Sequence, residues 1–223
     1  MKFDLHVHSR YSRDSNADPE AILQSAGARG LDGIAICDHD TVEGGLACAE
    51  IARKLGIDLT VIPGIEVSSS KGHILVLGIK ENIKPGLSPE ETIRQARSLG
   101  GTVIIPHPFK SSSHGIGSFE GLDADAVEVF NSRCLFNAAN RKAEKEAKRL
   151  GFPAVAGSDA HISKMVGQAY TEIEAGENTV NAILRAIREG KTVPAGKKTP
   201  NPVILLQMAG SVRRKLNKIL LGK

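Results

Sequence analysis

Histidines and carboxylates recur in short motifs along this sequence, and their spacing indicates metal chemistry. Six of the seven histidines lie in such motifs, and a further motif contributes a glutamate. The motifs are Asp4-Leu5-His6-Val7-His8, Asp38-His39-Asp40, Gly64-Ile65-Glu66, Gly72-His73, Pro106-His107-Pro108 and Gly157-Ser158-Asp159-Ala160-His161. A spacing of two, as in the first and last motifs, places both side chains on one side of an extended segment. Only His114 lies apart, and we expect it to be an ordinary loop residue.

The positions of these residues along the predicted strands indicate one shared site. Four glycines end predicted helices, and a stretch of 7 to 10 residues, about one strand, separates each from a candidate ligand. The pairs are Gly30 and His39, Gly56 and Glu66, Gly100 and His107, and Gly151 and Asp159. His6 and His8 likewise follow the first strand. We therefore expect all of them at the carboxyl ends of parallel strands, where barrels and open α/β sheets build active sites.

The ligand types narrow the chemistry. Imidazole and carboxylate groups without a cysteine pair suit Zn, Mn or Fe in an open catalytic site. Two neighbouring ions can share a bridging carboxylate, activate a water molecule and neutralise charge on a phosphoryl group. A single histidine near a strand end usually binds no metal and is simply a hydrogen-bonded or exposed side chain. Five motifs in strand order at one edge of the sheet, however, favour a metal cluster.

A helical segment, a glycine and an apolar run recur along the chain. The glycines named above and Gly190 supply the left-handed conformation that ends a helix. Asp18 and Ser88, each followed by proline, are expected to cap helix starts. Apolar runs such as residues 33–36, 60–62, 102–105 and 154–156 are typical of strands covered on both faces. The alternation predicts an α/β protein, either a doubly wound sheet or a barrel.

Composition limits the class of protein. The net charge is +4, and residues 190–223 contain eight Lys or Arg and no acidic residue. The eight aromatic residues are scattered, so no stacking platform for single-stranded nucleic acid is visible. The three cysteines show no disulfide pattern, and the sequence has neither an apolar stretch long enough to span a membrane nor an apolar signal region at the amino terminus. We therefore expect a cytoplasmic protein.

Taken together, the motifs resemble those of the PHP (polymerase and histidinol phosphatase) family. The resemblance covers residues 1 to about 161, and the stretch that follows resembles the carboxy-terminal region of small stand-alone members. It implies a distorted seven-stranded (β/α) barrel, TIM-like, that hydrolyses phosphoesters by attack of a metal-bridging hydroxide. We expect this domain to span residues 1–200, with its carboxy-terminal region at about 155–200, followed by a separate helix in residues 201–223.

By the same resemblance, two or three divalent ions would be bound. His6, His8, Glu66 and Asp159 would hold one ion, Glu66 and His107 a second, and Asp14, His39 and His161 a third. Glu66, Asp159 and His161 would be the catalytic groups, with His161 assisting proton transfer. Members with a full ligand set usually have another histidine near residues 127–134, which this chain lacks. The second ion is therefore either weakly held or completed by Cys134 or water.

Arg133, Lys110 and His73 are the candidate substrate-binding residues. Arg133 is the first choice, because a guanidinium group binds phosphate oxygens bidentately. For Lys110, and for Arg10 as a further cation, an exposed surface charge is the preferred interpretation. His73 begins an apolar strand, where a structural role is equally plausible. Residues 110–121 form a polar, glycine-rich loop that follows His107 and is a candidate lid.

The carboxy-terminal segment has an amphipathic, basic pattern. Its apolar residues at helical spacing are Leu205, Met208, Ala209, Val212, Leu216, Ile219 and Leu220, and its opposite side contains Gln207, Arg214 and Lys218. The apolar stripe is expected to pack on the barrel or on a second subunit, which would make a homo-oligomer. Contact with RNA or acidic lipid is the alternative.

The resemblance favours a phosphorylated small molecule or short nucleic acid as substrate. A nucleoside 3′,5′-bisphosphate and an RNA 5′ end are the first candidates, and histidinol phosphate is the alternative. A non-catalytic, metal-stabilised module is the alternative of a different class.

Overall fold

Helices and strands alternate along most of the chain. The computed structural model describes residues 1–110 and 115–220, and for residues 213–220 it describes the backbone only. The strands are β1 (Lys2–Val7), β2 (Gly33–His39), β3 (Thr60–Ser68), β4 (His73–Leu77), β5 (Thr102–Ile105), β6 (Ala126–Asn131), β7 (Ala154–Gly157), β8 (Ala169–Ile173) and β9 (Thr192–Gly196). The α-helices are α1 (Pro19–Ala28), α2 (Glu43–Leu55), α3 (Pro89–Ser98), α4 (Asn137–Leu150), α5 (Val180–Arg188) and α6 (Asn201–Leu220), and a short 3₁₀ helix spans Ser163–Met165.

The strands form one sheet in the order β7-β6-β5-β4-β3-β2-β1-β8-β9. Strands β1, β2, β3, β5, β6 and β7 run in one direction, whereas β4 is antiparallel to both of its neighbours. An isolated parallel bridge between Val7 and Ala160 brings the first strand beside the end of the seventh. The sheet is therefore a nearly closed, distorted barrel of seven strands, which confirms the predicted fold class.

The predicted helix ends are confirmed. Asp18 and Ser88 accept hydrogen bonds from backbone N–H groups in the first turns of α1 and α3, each with proline at the start. Gly56 and Gly151 end α2 and α4 in the left-handed conformation that glycine adopts without strain. Because each helix ends at its glycine, the strand that follows starts at a defined point and reaches the same edge of the barrel.

The barrel interior is filled by the inward side chains of the strands and by α5. Phe3 and Leu5 of β1 pack in one buried cluster with side chains from the other barrel strands. Ile183 and Ile187 of α5 belong to the same cluster and are fully buried. The amphipathic helix α5 thus closes the interior with its apolar face, and the polar groups collect at the carboxyl ends of the strands.

Two strands contain irregularities that redirect side chains. In β1 the register shifts between Asp4 and Val7, so Leu5 packs in the interior while Val7 packs in the outer layer beneath α1. In β6 the register shifts between Glu128 and Phe130. A bulge of this kind inserts one residue and reverses the alternation that follows it. The bulges therefore direct His6 in β1, His8 just after it, and Asn131 in β6 towards the carboxyl end of the barrel.

Helix α6 lies against the body of the protein with a different face from the one predicted. Leu205 and Val212 of the expected apolar stripe are 55% and 56% exposed, whereas Gln207, assigned to the polar side, is only 5% exposed. Ile204 and Ser211 share the buried face with Gln207. The prediction was wrong because Gln207 finds hydrogen-bond partners in the body, so the polar residue is buried without penalty.

The rest of the C-terminal prediction is untested. The side chains of Arg214, Leu216, Lys218, Ile219 and Leu220 lie outside the described residues. The division into residues 1–200 and 201–223 stays a prediction. None of the helices in the described part of the chain is long and apolar enough to cross a bilayer.

Candidate metal centre

Glu66 lies at the centre of a ring of histidines. Its Oε1 is 2.9 Å from Nδ1 of His73 and 3.0 Å from Nε2 of His107. Its Oε2 is within 3.6 Å of ring nitrogens of three more histidines, which are His6, His8 and His39. The glutamate is near the end of β3 and is almost fully buried. One oxygen of this carboxylate therefore faces His73 and His107, and the other faces His6, His8 and His39.

His6, His8 and Asp159 form one group of potential ligands beside Glu66. Nε2 of His6 lies 3.1 Å from Nε2 of His8, and Oδ1 of Asp159 lies 3.5 Å from Nε2 of His8. The bulge in β1 and the end of β7 bring these side chains together. The spacing of two residues in His6-Val7-His8 therefore does what the sequence predicts and directs both rings to one place.

A second group consists of Asp14, His39 and His161, with His8 at its border. Oδ2 of Asp14 lies 3.1 Å from Nε2 of His161 and 3.6 Å from Nε2 of His39. Nδ1 of His161 is 2.9 Å from the backbone oxygen of Asp159, to which it can donate. That hydrogen bond requires the proton on Nδ1 and leaves the lone pair of Nε2 available to a metal ion.

The third group consists of His6, Glu66 and His107, of which Glu66 and His107 are the residues expected to hold the second ion. Here the sequence analysis missed two residues, Glu128 and Asn131. Glu128 Oε1 is 3.0 Å from Nδ1 of His6, and Glu128 Oε2 accepts hydrogen bonds from the backbone N–H of His107 and from Nδ2 of Asn131. The signal in the sequence that could have identified Glu128 is a charged residue within the apolar run that forms β6. A buried polar residue in an apolar strand requires partners, and here they are the candidate ligands themselves.

Cys134 does not complete this group. In the described part of the chain, no cluster of potential ligands includes its thiol. Burial raises the pKa of the Cys134 thiol to about 11. Asn131, at the end of β6, donates to Glu128 and to Asp159 Oδ2.

The backbone around the ligands is held by a second set of carboxylates. Asp4 accepts hydrogen bonds from the backbone N–H and hydroxyl of Ser158 and from the N–H of Gly167, and Asp38 accepts from the N–H and hydroxyl of Ser9. Three non-glycine residues at the site have positive φ, namely Asp40 (59°), His107 (29°) and Asp159 (52°). Such conformations cost about 1–3 kcal/mol each and persist where surrounding contacts impose them.

The pKa shifts show strong electrostatic coupling within the centre. Burial opposes charge on His8, but hydrogen bonds with Asp159 and Glu66 raise its pKa to about 9. Burial also opposes charge on Glu66, but His73, His39 and His6 hold its pKa well below the usual value. Burial, with the charges of Arg133 and His8, lowers the pKa of His161 to about 3. The buried carboxylate of Glu66 is thus ionised and requires nearby positive charge.

The residues present fit divalent metal ions. Ligand atoms about 2.1 Å from a common ion lie about 3.0 to 3.4 Å apart, and most of the nitrogen and oxygen contacts above fall near this spacing. Among the described residues, Nδ1 of His107 is buried without a hydrogen-bond partner, and Nδ1 of His39 makes no hydrogen bond although Oε2 of Glu66 is 3.2 Å away. Nε2 of His6 and Nε2 of His8 face each other at 3.1 Å, which is costly in a protein without a cation between them. The chain therefore has the donor set of a divalent metal centre.

The three candidate substrate-binding residues all lie at the centre. Nζ of Lys110 is 2.6 Å from Oδ2 of Asp159, and Lys110 is only 7% exposed, so the preferred interpretation of a surface charge was wrong for this residue. Nη1 of Arg133 is 3.7 Å from Oδ1 of the same aspartate. His73 contacts Glu66 because β4 is antiparallel and starts where its neighbours end. Arg10, in contrast, pairs with Asp18 at the surface.

The candidate lid is only partly described. His114 and the rest of residues 111–114 lie outside the described residues. In the described second half of the loop, Phe119 is buried and its ring packs near those of Phe109 and Phe152. This half of the loop is anchored in the hydrophobic core and does not form a free lid.

Comparison with known proteins supports this picture. A family model described as the PHP domain matches residues 4–104, and a second, described as PHP-associated, matches residues 137–192. An uncharacterized protein of Methanocaldococcus jannaschii is 35% identical over 167 residues, which cover 68% of this chain and 96% of that protein. A two-domain protein of Bacteroides vulgatus containing a predicted PHP-like metal-dependent phosphoesterase has a similar fold, with a TM-score of 0.72 and 20% identity over 95% of this chain and 69% of its own.

Named enzymes match over shorter segments. A 3′,5′-nucleoside bisphosphate phosphatase of Chromobacterium violaceum is 34% identical over 110 residues, which are 45% of this chain and 37% of the enzyme. A 5′-3′ exoribonuclease of Salmonella typhimurium is 31% identical over 126 residues, which are 53% of this chain and 41% of the enzyme. The chain thus spans well under half the length of each of these two enzymes.

Proposed function

Because the chain belongs to the PHP family, we propose that it is a metal-dependent phosphoesterase acting on a nucleotide or a short nucleic acid. The observation that carries the proposal is the central position of Glu66, whose two oxygens face separate sets of histidines. Two cations lie beside it, the buried Lys110 and the half-buried Arg133. The histidines and carboxylates would hold the metal ions. Lys110 and Arg133 would bind those phosphate oxygens of the substrate that the metal ions do not contact.

Each ligand group has a proposed role. His6, His8, Glu66 and Asp159 would hold one ion, Glu66 and His107 a second, and Asp14, His39 and His161 a third. When bound, divalent ions such as Mn, Zn or Fe supply an activated water molecule and neutralise the charge that develops on the phosphoryl group. Glu66 would join the first two positions, and Glu128 would fix the orientation of His6 by accepting a hydrogen bond from its Nδ1.

The protein side chains would bind and orient the substrate phosphate. The guanidinium of Arg133 is 12% exposed and can offer paired donors to two phosphate oxygens. Lys110 contributes a point charge next to Asp159. His161 has both ring nitrogens engaged, with the Asp159 backbone oxygen and with Asp14. We therefore propose ligation as its main role, in place of the proton transfer expected from the sequence.

The nucleotide class rests on the relatives. The bisphosphate phosphatase and the exoribonuclease act, by their names, on nucleotides and RNA. Both substrates present a terminal phosphate, and a compact site with two cations close to the ligands suits such a group. Histidinol phosphate also has a terminal phosphate and stays a candidate that the experiment below separates.

A substrate panel tests the proposal. The purified full chain is loaded with Mn²⁺, its metal content is measured, and it is offered p-nitrophenyl phosphate, 3′,5′-adenosine bisphosphate, histidinol phosphate and a 5′-phosphorylated oligonucleotide. We expect phosphate release from the bisphosphate or stepwise shortening of the oligonucleotide. Selective turnover of histidinol phosphate would exclude the nucleotide class. No turnover of any of them by the metal-loaded protein would favour the non-catalytic module.

A further inference from the structure

Helix α6 reaches the candidate metal centre through a single buried amide. Gln207 is buried, and its Oε1 accepts a hydrogen bond of 2.8 Å from Nη2 of Arg133. Its Nε2 donates to the backbone oxygen of Asp14 at 3.4 Å. Arg133 follows β6 and Asp14 lies in the loop after β1, so this amide joins two segments that contribute to opposite sides of the centre.

The guanidinium of Arg133 has few contacts that fix its position. Among the described residues, its hydrogen bond to Gln207 is the only one that it makes. Nε of Arg133 is buried without a hydrogen-bond partner, and Nη1 makes a longer ion pair with Asp159, at 3.7 Å. An arginine side chain loses about 2 kcal/mol of rotamer entropy when it is fixed, so a guanidinium with one hydrogen bond and one long ion pair is sensitive to the loss of that hydrogen bond.

The segment that leads into α6 is attached to the same loop as Arg133. The hydroxyls of Thr199 and Ser132 are 2.8 Å apart, and the backbone N–H of Thr199 donates to the oxygen of Ser132 at 2.9 Å. The ammonium of Lys198 donates to the backbone oxygen of Leu135. Residues 198–207 thus contact residues 132–135 at three points, which places Gln207 in a defined position relative to Arg133.

We propose that Gln207 is a positioning residue, which holds the Arg133 guanidinium in place to bind the phosphate group of the substrate. The inference rests on the proposed function only in assuming that the ligand is a phosphate. It makes α6 a part of the site. The hydrogen bond to Asp14 gives the helix a second contact, with the loop that supplies a candidate ligand.

Variants of Gln207 test this role by phosphate binding, which does not require turnover. Inorganic phosphate is titrated into the Mn²⁺-loaded full chain by calorimetry, and metal content is measured in parallel. Gln207→Leu, which removes both polar atoms, should weaken phosphate binding about 10- to 100-fold, the effect of one hydrogen bond to a charged group, without loss of metal. Gln207→Glu keeps the acceptor for Arg133 and should retain most of the affinity. Leu206→Ala, at a 74% exposed position on the same helix, is the matched control.

A double-mutant cycle distinguishes positioning from a general structural effect. In an Arg133→Met background, Gln207→Leu should have no further effect on phosphate affinity, because the group that it positions is gone. Equal weakening in both backgrounds, or phosphate binding by Gln207→Leu at the wild-type level, would overturn the inference, as would a wild-type chain that binds no phosphate. If Gln207→Leu does not fold, Gln207→Asn gives the same comparison, since its shorter side chain withdraws the amide from Arg133.

The two proposals fail in different ways. A wild-type chain that binds phosphate in a Gln207-dependent manner but hydrolyses no ester would overturn the function and leave the positioning role intact. A chain that hydrolyses its substrate with unchanged phosphate affinity in the Gln207 variants would overturn the positioning role alone.

Discussion

The ammonium group of Lys110 lies 2.6 Å from Oδ2 of Asp159, the carboxylate whose Oδ1 lies 3.5 Å from Nε2 of His8. Asp159 is therefore paired with a cation through one oxygen and faces the potential ligands through the other. Burial raises the pKa of Asp159, but the charges of Lys110 and Arg133 outweigh it and keep that pKa well below its usual value. The aspartate stays ionised in a buried position, as a metal ligand must.

Removal of Lys110 should cost more stability without metal than with it. Lys110→Met leaves the buried charge of Asp159 without its closest cation, and breaking a buried pair in this way typically costs about 3 kcal/mol or more. Bound Mn²⁺ would replace part of the lost positive charge. We expect the free energy of unfolding in urea to fall by about 3 kcal/mol in the metal-free variant and by clearly less in the Mn²⁺-loaded variant.

Lys80→Met is the control for this experiment, because Lys80 is exposed. Its effect should stay within about 0.5 kcal/mol under both conditions. An equal loss of stability for Lys110→Met with and without Mn²⁺ would contradict the proposed compensation of charge.

Loss of His8 or Asp159 should remove metal and activity together. Both side chains face the space next to Glu66, so His8→Ala or Asp159→Ala deletes a ligand of the same proposed ion. We expect at least one equivalent of metal to be lost and turnover to fall by about 100-fold or more. Elemental analysis and the phosphate-release assay measure the two effects.

Arg10→Ala is a suitable control for the same pair of measurements, since Arg10 pairs with Asp18 at the surface and not with the centre. Full activity in either ligand variant would refute the assignment. Loss of activity with unchanged metal content would instead make the residue a catalytic group that does not bind metal.

The candidate ligands could be identified from the sequence because two simple regularities coincide. Glycines such as Gly56 and Gly151 end helices in the left-handed conformation, so the length of the following strand sets where Glu66 and Asp159 emerge. Parallel strands then bring these ends to one edge of the barrel. This reasoning needs only local conformational preferences and strand length, and both are visible in one sequence.

The features that were missed or left open, such as the contact of His73 with Glu66 and the role of Asn131, depend on strand pairing. His73 reaches Glu66 because β4 is antiparallel, and an apolar run does not reveal its direction. Asn131 reaches the centre because a bulge in β6 reverses the alternation of its side chains. Bulges and strand direction are settled by partners elsewhere in the chain, so periodicity within the segment cannot show them.

The prediction of which face of α6 is buried was wrong for a related reason. Apolar periodicity predicted that Leu205 and Val212 would be buried, but the partner of the helix is a polar region that contains Arg133. The amide of Gln207 matches that region better than an apolar side chain does. The helix face was therefore decided by hydrogen-bond partners brought in by the fold.

Glu128 should control metal affinity without being a ligand itself. Its Oε1 lies 3.0 Å from Nδ1 of His6, and its Oε2 accepts two hydrogen bonds from donors, the N–H of His107 and the Nδ2 of Asn131. Glu128→Gln keeps the shape of the side chain but places an N–H₂ donor either against Nδ1 of His6 or against the donors of His107 and Asn131. We expect metal affinity to fall about 10- to 100-fold, as for other groups that orient a metal-bound histidine.

The measurement is a competition titration of Mn²⁺ or Zn²⁺ with a chelator, and Glu144→Gln, at an exposed position of α4, is the control. If Glu128→Gln bound metal as tightly as the control did, the hydrogen bond to His6 would have no part in setting the affinity.

Asp4 should be among the main polar contributors to stability. It is fully buried, and it accepts hydrogen bonds from the N–H and hydroxyl of Ser158 and from the N–H of Gly167 at 2.9, 2.5 and 2.7 Å. Asp4→Ala leaves these donors without a partner beside Asp159. Because each buried unsatisfied group costs about 1–3 kcal/mol, we expect the free energy of unfolding to fall by about 3 kcal/mol or more.

Asp4→Asn separates the hydrogen bonds from the charge. An asparagine keeps one acceptor oxygen, so this variant should lose less stability than Asp4→Ala in urea unfolding of the metal-free protein. Asp58→Ala, at an exposed position, should change the free energy of unfolding by no more than about 0.5 kcal/mol. A loss for Asp4→Ala as small as that of Asp58→Ala would show that Ser158 and Gly167 find other partners. In that case, the hydrogen bonds of Asp4 would not be needed to fix the segment after β7 that contains Asp159.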